Sequence, residues 1–344
     1  LAQKGEKISK SKSNGSMEPE KLLERYSADA IRYWTAGGRL GNDVMFSEET
    51  LREGNKFINK LWNAAKFATM NLQDYNPEEG KDIELLPMDK WALSKLARMK
   101  QEYDDNFSKY EPALALNAYQ KYFWDYCDNY VEIAKHRLYN PDLYGEDAKK
   151  SAQKATYESM MQLLKMGSVY LPHVTEEIYQ GFFRDKEKAE SIHVMDIDDF
   201  GYTADKDLID CGNKVVDIIS EIRKYKSENN MSLKTPIKSA DITVEPQYRE
   251  FIESSMLDIK NTGTVAEANL STGENMSVSS IEIDLEELER MNEEKRKKKE
   301  AQQQQKKFGE NDFKGVYEGQ PVNGNIIKNM MTEEKTQEKA GEEK

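Results

Sequence analysis

The chain has 344 residues, enough at roughly 150 residues per domain for two or three domains and a sizeable core. Hydrophobic residues make up 38% and charged residues 33%, and no apolar stretch approaches the roughly 20 residues of a membrane-spanning helix, which points to a soluble chain. The net charge of −13 excludes a generic nucleic-acid binder, so any RNA binding has to come from a local basic face. The opening LAQKGEKISKSKSNG begins with Leu1 and lacks the apolar core and cleavage site of a secretory signal; it reads as the continuation of a longer chain. Cys127 and Cys211 are widely spaced and lack a His/Cys cluster, so no disulfide framework or zinc ribbon is expected and a reducing cytosol is the default.

In chain order, the stretch up to about Pro19 is rich in Gly, Ser and Lys and reads as a solvated loop. PEKLLERYSADAIRYW then spaces Leu22, Leu23, Tyr26, Ala30, Ile31 and Trp34 at roughly helical intervals, predicting one short helical unit with Pro19 in its first turn. Gly37, Gly38 and Gly41 end it. Ser47 is a predicted N-cap, followed by Glu48 and Glu49 for the helix dipole, and Phe46 can staple onto Leu51. From there Leu51, Gly54, Ile58, Leu61, Ala65, Ala68 and Leu72 mark one face of a long helix. Further periodic stretches run over about 88–107, 112–139, 147–170 and 172–183, joined by short connections, which predicts an antiparallel bundle.

Past Gly201 the pattern changes to a helix over 205–228 and to the strand-like SADITVE and SSIEIDL, predicting a small α+β module. From Glu286 the chain is charged and helix-prone with little apolar surface, and from Phe308 it has the composition of a disordered tail. The expected organisation is therefore mainly α. It comprises a connecting segment over 1–46, a helical bundle over 47–200, an α+β module over 201–285, and a charged helix and tail over 286–344.

Lys7-Ile8-Ser9-Lys10-Ser11-Lys12 alternates lysines with hydroxyls in Gly/Ser surroundings. Such a loop suits a polyphosphate: lysine is a compact charge on a flexible stem, and Ser9 and Ser11 donate hydrogen bonds to phosphate oxygens. By composition alone a solvated basic loop or phosphorylation tract fits the same residues.

The order KISKSKSN, PEKLLERYSADAIRYW, then NKLWNAAKFATMNL resembles class I aminoacyl-tRNA synthetases where the catalytic domain meets the helical bundle. KISKS is similar to the KMSKS signature. NKLWNAAKF, YFWDYCDNYVEIAKHRLYN and VVDIISEIRKYKSENNMSLKTPIK are similar to the valine enzymes of that class, so that the resemblance covers about Lys4 to Asp284. It implies that Lys10 is the catalytic lysine acting on the ATP phosphates, with Lys7, Ser9 and Ser11 as further ATP-binding positions. Ile8 replaces the usual methionine, and Ser13 stands at the usual glycine. The implied partners are tRNA(Val), ATP and valine; Mg2+ would arrive with ATP, and no metal held by this chain and no membrane are expected. The implied location is the cytoplasm.

Lys135, His136 and Arg137 cluster near a helix end, where cations suit the dipole and can also meet RNA phosphates. Phe123, Trp124, Cys127, Tyr130, Val131, Ala134 and Leu138 read as core rather than as a stacking platform. Asp125, Asp128 and Glu132 read as partners of bases such as Lys121 and Lys135 rather than as an acid cluster, and His173 and His193 as structural. No HIGH-like tetrapeptide and no series of alternating strands and helices precedes Lys7, so the isolated chain is expected not to form valyl-adenylate. Three alternatives stay open: another class I enzyme for a branched aliphatic amino acid, a stand-alone tRNA-binding module, and a helical interaction scaffold.

Overall fold

Ser27 is extended and its Oγ accepts the Ala30 N–H at 3.2 Å, so the expected single helical unit divides into α1 (Pro19–Leu23) and α2 (Ala28–Ala36). This computed structural model describes residues 19–39, 41–43, 46–198, 200–297 and 299–300. Lys7, Ser9, Lys10 and Ser11 lie outside the described residues. Ser47 caps α3 (Glu48–Asn71), accepting from Thr50 N at 3.2 Å, and the predicted stripe is buried at Leu51, Gly54, Leu61, Ala65 and Ala68. Gly54 lets α2 approach: a Cβ there would lie 3.1 Å from Tyr33 and 3.4 Å from Ala30 O.

The bundle continues through α4 (Pro77–Gly80), α5 (Pro87–Ser108) and α6 (Pro112–Asp125). A π-helical turn over Tyr126–Tyr130 leads into α7 (Val131–Tyr139), α8 (Pro141–Tyr144) and α9 (Glu146–Gly167). Then come α10 (Pro172–Ile178), a second π turn over Tyr179–Phe183, and α11 (Arg184–Glu187). Prolines sit in the first turns of α4, α5, α6, α8 and α10, where the missing N–H costs nothing.

The spine is α9, buried on almost every side despite Ser151, Gln153, Lys154, Thr156, Ser159 and Gln162. Several of these polar groups serve the connector between α3 and α5. Gln153 Nε2 donates to Asn71 O at 2.8 Å, Lys154 Nζ to Lys81 O and Ile83 O at 3.1 and 3.2 Å, and Ser151 Oγ accepts from Leu86 N at 2.8 Å.

The α+β module comprises α12 (Lys206–Glu228), β1 (Ile237–Val244), α13 (Arg249–Ser254), α14 (Met256–Gly263), β2 (Val265–Thr272) and β3 (Ser277–Ile283). The sheet order is β2-β1-β3, with β1 parallel to β2 and antiparallel to β3. The alternation of β1 buries Ile237, Ala240, Ile242 and Val244. Sequence periodicity did not reveal β2, of which only Val265 is buried. Lys226, at the end of α12, is buried and donates to Leu233 O at 3.1 Å and Gly263 O at 2.7 Å; burial holds its ammonium down to about 8.

Bundle and module form one unit ending at Asp284; the chain from Leu285 onward is a second unit, helical over 285–297. Among the described residues no helix is long and apolar enough to cross a membrane. The mainly α architecture with a small α+β module agrees with the sequence expectation.

Candidate nucleic-acid interface

The three basic residues at the end of α7 have different fates. Arg137 is fully buried: Nη1 lies 2.5 Å from Asp89 Oδ2 and Nε 3.1 Å from Asp258 Oδ1. Tyr130 Oη donates to Asp89 Oδ1 at 2.7 Å, and Ser151 Oγ donates to Asp89 Oδ2. The expectation that Arg137 faces RNA is corrected here, because its guanidinium is consumed in pinning α14 to the bundle. His136 is half-buried, and burial lowers its pKa from the ordinary histidine value, which favours the neutral ring. Lys135 remains at the surface, 2.6 Å from Glu132 and 5.9 Å from the centroid of Phe67.

Phe67 places Lys135 in a seam between α3 and the continuous α6–π–α7 helix. At one end Lys60 lies 5.6 Å from the ring centroid of Trp124 and 3.4 Å from Asp128. At the other, Phe67 meets Tyr139 edge-on at 6.1 Å. Trp124 is 39% exposed and Tyr139 57%, whereas Phe123, Cys127, Tyr130, Val131, Ala134 and Leu138 are buried as the sequence reading expected of the whole set. The seam thus alternates aromatic faces with lysines, the combination that stacks unpaired bases and neutralises phosphates. Its carboxylates do not veto this, since exposed ion pairs such as Lys60–Asp128 contribute only about 0–1 kcal/mol and can be exchanged for phosphate.

Sequence reasoning missed Lys60, Phe67 and Tyr139. The available signal was the spacing 124, 128, 135 and 139, one helical stripe displaced by a single residue from the buried set. Of the three carboxylates, Glu132 pairs with Lys135 as expected, but Asp125 pairs with Lys95 of α5 at 2.6 Å and Asp128 with Lys60 of α3. His193 Nε2 lies 3.2 Å from Pro172 O, and His173 Nδ1 lies 2.8 Å from Asp29 Oδ1. Among the described residues no group of three or more His, Cys, Asp or Glu side chains is placed to hold a metal ion.

Comparison with known proteins bears directly on this surface. Residues 89–242 match the family described as the anticodon-binding domain of tRNA ligase, a span that runs from the first turn of α5 through α12 and includes most of β1. A valine–tRNA ligase of Rickettsia canadensis (strain McKiel) is 36% identical over 287 residues, covering 80% of this chain and 34% of that protein. The valine–tRNA ligase of Anaplasma marginale (strain St. Maries) is 38% identical over 266 residues, covering 76% of this chain and 30% of the relative. The chain therefore spans about a third of the length of the curated relatives it matches. With an anticodon-binding domain of tRNA ligase matched over 89–242 and this similarity along most of its length, the chain is similar to a portion of the valine–tRNA ligases.

Proposed function

We propose that this chain is the tRNA-binding portion of a ligase that activates valine with ATP and transfers it to tRNA(Val). The observation that carries the reading is the cation–aromatic seam of Lys60, Trp124, Phe67, Lys135 and Tyr139, much of it formed by residues within the anticodon-binding match. In this reading unpaired bases stack on the exposed rings while Lys60 and Lys135 leave their carboxylate partners for phosphates. His136, half-buried beside Lys135, is a further RNA-contacting position in this reading. Lys10 acts on the ATP phosphates during activation, where a lysine engaged only as charge develops lowers the barrier, and Lys7, Ser9 and Ser11 hold the nucleotide. Mg2+ enters as part of the ATP substrate, and the reaction takes place in the cytoplasm. Among the described residues the sheet is the three-stranded β2-β1-β3, not a doubly wound nucleotide-binding one, so the isolated polypeptide is expected to show no valine-dependent ATP–pyrophosphate exchange; measurable exchange would overturn that part.

Binding of the purified chain to tRNA(Val) and to a non-cognate tRNA across a salt series tests the assignment. Preferential, salt-sensitive cognate binding supports it. Preference for the tRNA of another branched aliphatic amino acid would favour a sister enzyme, and no tRNA binding at all would favour an interaction scaffold.

A further inference from the structure

The α9–α10 corner has a helix end on each side. Val169 O and Tyr170 O follow the C-terminus of α9, and the His173 and Val174 N–H groups open α10, which has no side-chain cap of its own. The missing partners come from α2, more than 130 residues earlier. Arg32 Nη2 donates to Val169 O at 3.0 Å and its Nε to Tyr170 O at 3.4 Å. Asp29, one turn away on the same face, accepts from Val174 N at 2.7 Å, from His173 N at 3.3 Å, and bonds His173 Nδ1 at 2.8 Å. Each charge therefore meets the helix end of opposite partial charge. Asp29 is only 3% exposed, so this carboxylate is committed to the corner rather than to solvent.

The rest of α2 is seated with equal definition. Ala30 and Tyr33 pack against the Gly54 notch of α3, while Ile31 and Trp34 face a separate small core of Leu22, Phe46 and Leu51. A helix held on three sides is a poor linker and a good reference point. Among the described elements it is, after α1, the one nearest in sequence to the Lys7–Lys12 motif.

We propose that Asp29 and Arg32 are positioning residues for aminoacylation: they bolt α2 to the α9–α10 corner, so that the bundle sets where the chain departs toward the ATP-binding motif. The inference rests on the proposed ligase reading, in which RNA held on the bundle must be placed within about an ångström of its reaction partner.

The test uses spin labels at Thr35→Cys on α2 and Leu143→Cys on α8, both exposed, in a Cys211→Ser background. The parent gives one narrow distance distribution. Asp29→Asn and Arg32→Met broaden it, whereas Arg32→Lys, which still donates to carbonyls, retains most of the narrow component. All three variants bind tRNA(Val) within about twofold of the parent. In the complete ligase, Asp29→Asn lowers kcat for transfer to tRNA about tenfold, with KM for tRNA and the ATP–pyrophosphate exchange rate within about twofold. An unbroadened distribution in both Asp29→Asn and Arg32→Met overturns the clamp, and unchanged transfer despite broadening overturns its role. Loss of tRNA binding by the parent chain would instead bring down the ligase reading and the positioning role with it, whatever the distances show.

Discussion

Trp91 and Trp62 put the same side chain in opposite settings. Trp91 is 1% exposed, donates its indole N–H to Asn213 Oδ1 at 3.2 Å, and fills the space left by Gly212, where a Cβ would come within 2.2 Å of the ring. Trp62 sits in the motif NKLWNAAKF yet is 37% exposed and touches Phe182 at a centroid distance of 6.0 Å. From sequence alone Trp62→Ala is expected to cost roughly 3–5 kcal/mol if the indole is buried. The structure reassigns that cost: thermal melts should show about 3–5 kcal/mol lost in Trp91→Ala but only about 1 kcal/mol in Trp62→Ala. Equal melting temperatures for the two variants would contradict this placement. Lys10 belongs to the same scale. In the complete ligase, Lys10→Ala should lower valine-dependent ATP–pyrophosphate exchange by about 10²–10³-fold while leaving the fold intact, because it removes transition-state charge stabilisation. An unchanged exchange rate would reject the role.

Between elements the most demanding contact is Asp89–Arg137–Asp258, which joins α5, α7 and α14. Two carboxylates face one guanidinium, with Tyr130 and Ser151 supplying further hydrogen bonds to Asp89 and Tyr144 lying nearby on α8. Burial raises Asp258 to about 6, partly offset by Arg137, and the Asp89 charge adds to the rise. A carboxyl raised in the folded state takes up its proton before the unfolded chain does. Its contribution is therefore fully present below the ordinary carboxylate range and is lost as pH climbs through about 6. Denaturant melts should show Asp258 favouring the folded state by about 2 kcal/mol more at pH 4.5 than at pH 7, a slope absent in Asp258→Asn. Identical pH profiles for the two proteins would show that Asp258 titrates as a solvated acid. Breaking the network from its centre, as in Arg137→Met, should be worse than neutralising its edge, because two buried carboxylates then lose their cation.

For the whole molecule the proposed function has to be reconciled with a net charge of −13. A seam of two lysines and three aromatic rings is enough to give local attraction, provided the attraction is salt-dependent and modest. Lys60→Ala and Lys135→Ala should each weaken tRNA(Val) binding and reduce the slope of log affinity against log salt by about 0.7–0.9, whereas Trp124→Ala should weaken binding at all salt concentrations with little change in slope. Variants that leave both affinity and slope untouched would move the interface elsewhere on the bundle.

Much of this architecture was legible from residue order alone. Ser47, the prolines in helix first turns and the three-to-four spacing of apolar residues are local signals, and a helix is a local structure, so the bundle helices and the family resemblance follow from neighbours in sequence. The strand β2 was obscured because it depends on a partner, pairing with β1, whereas the break at Ser27 rests on a local N-cap that apolar periodicity alone passes over. The same limit governed the candidate site. Lys135 and Arg137 are two residues apart on one helix, and only the arrival of Asp89 from α5 and Asp258 from α14 decides that one faces solvent while the other is sealed inside. Charge and spacing determined which residues were eligible to meet RNA; burial, a property of the assembled helices rather than of the segment, decided which of them are free to do so.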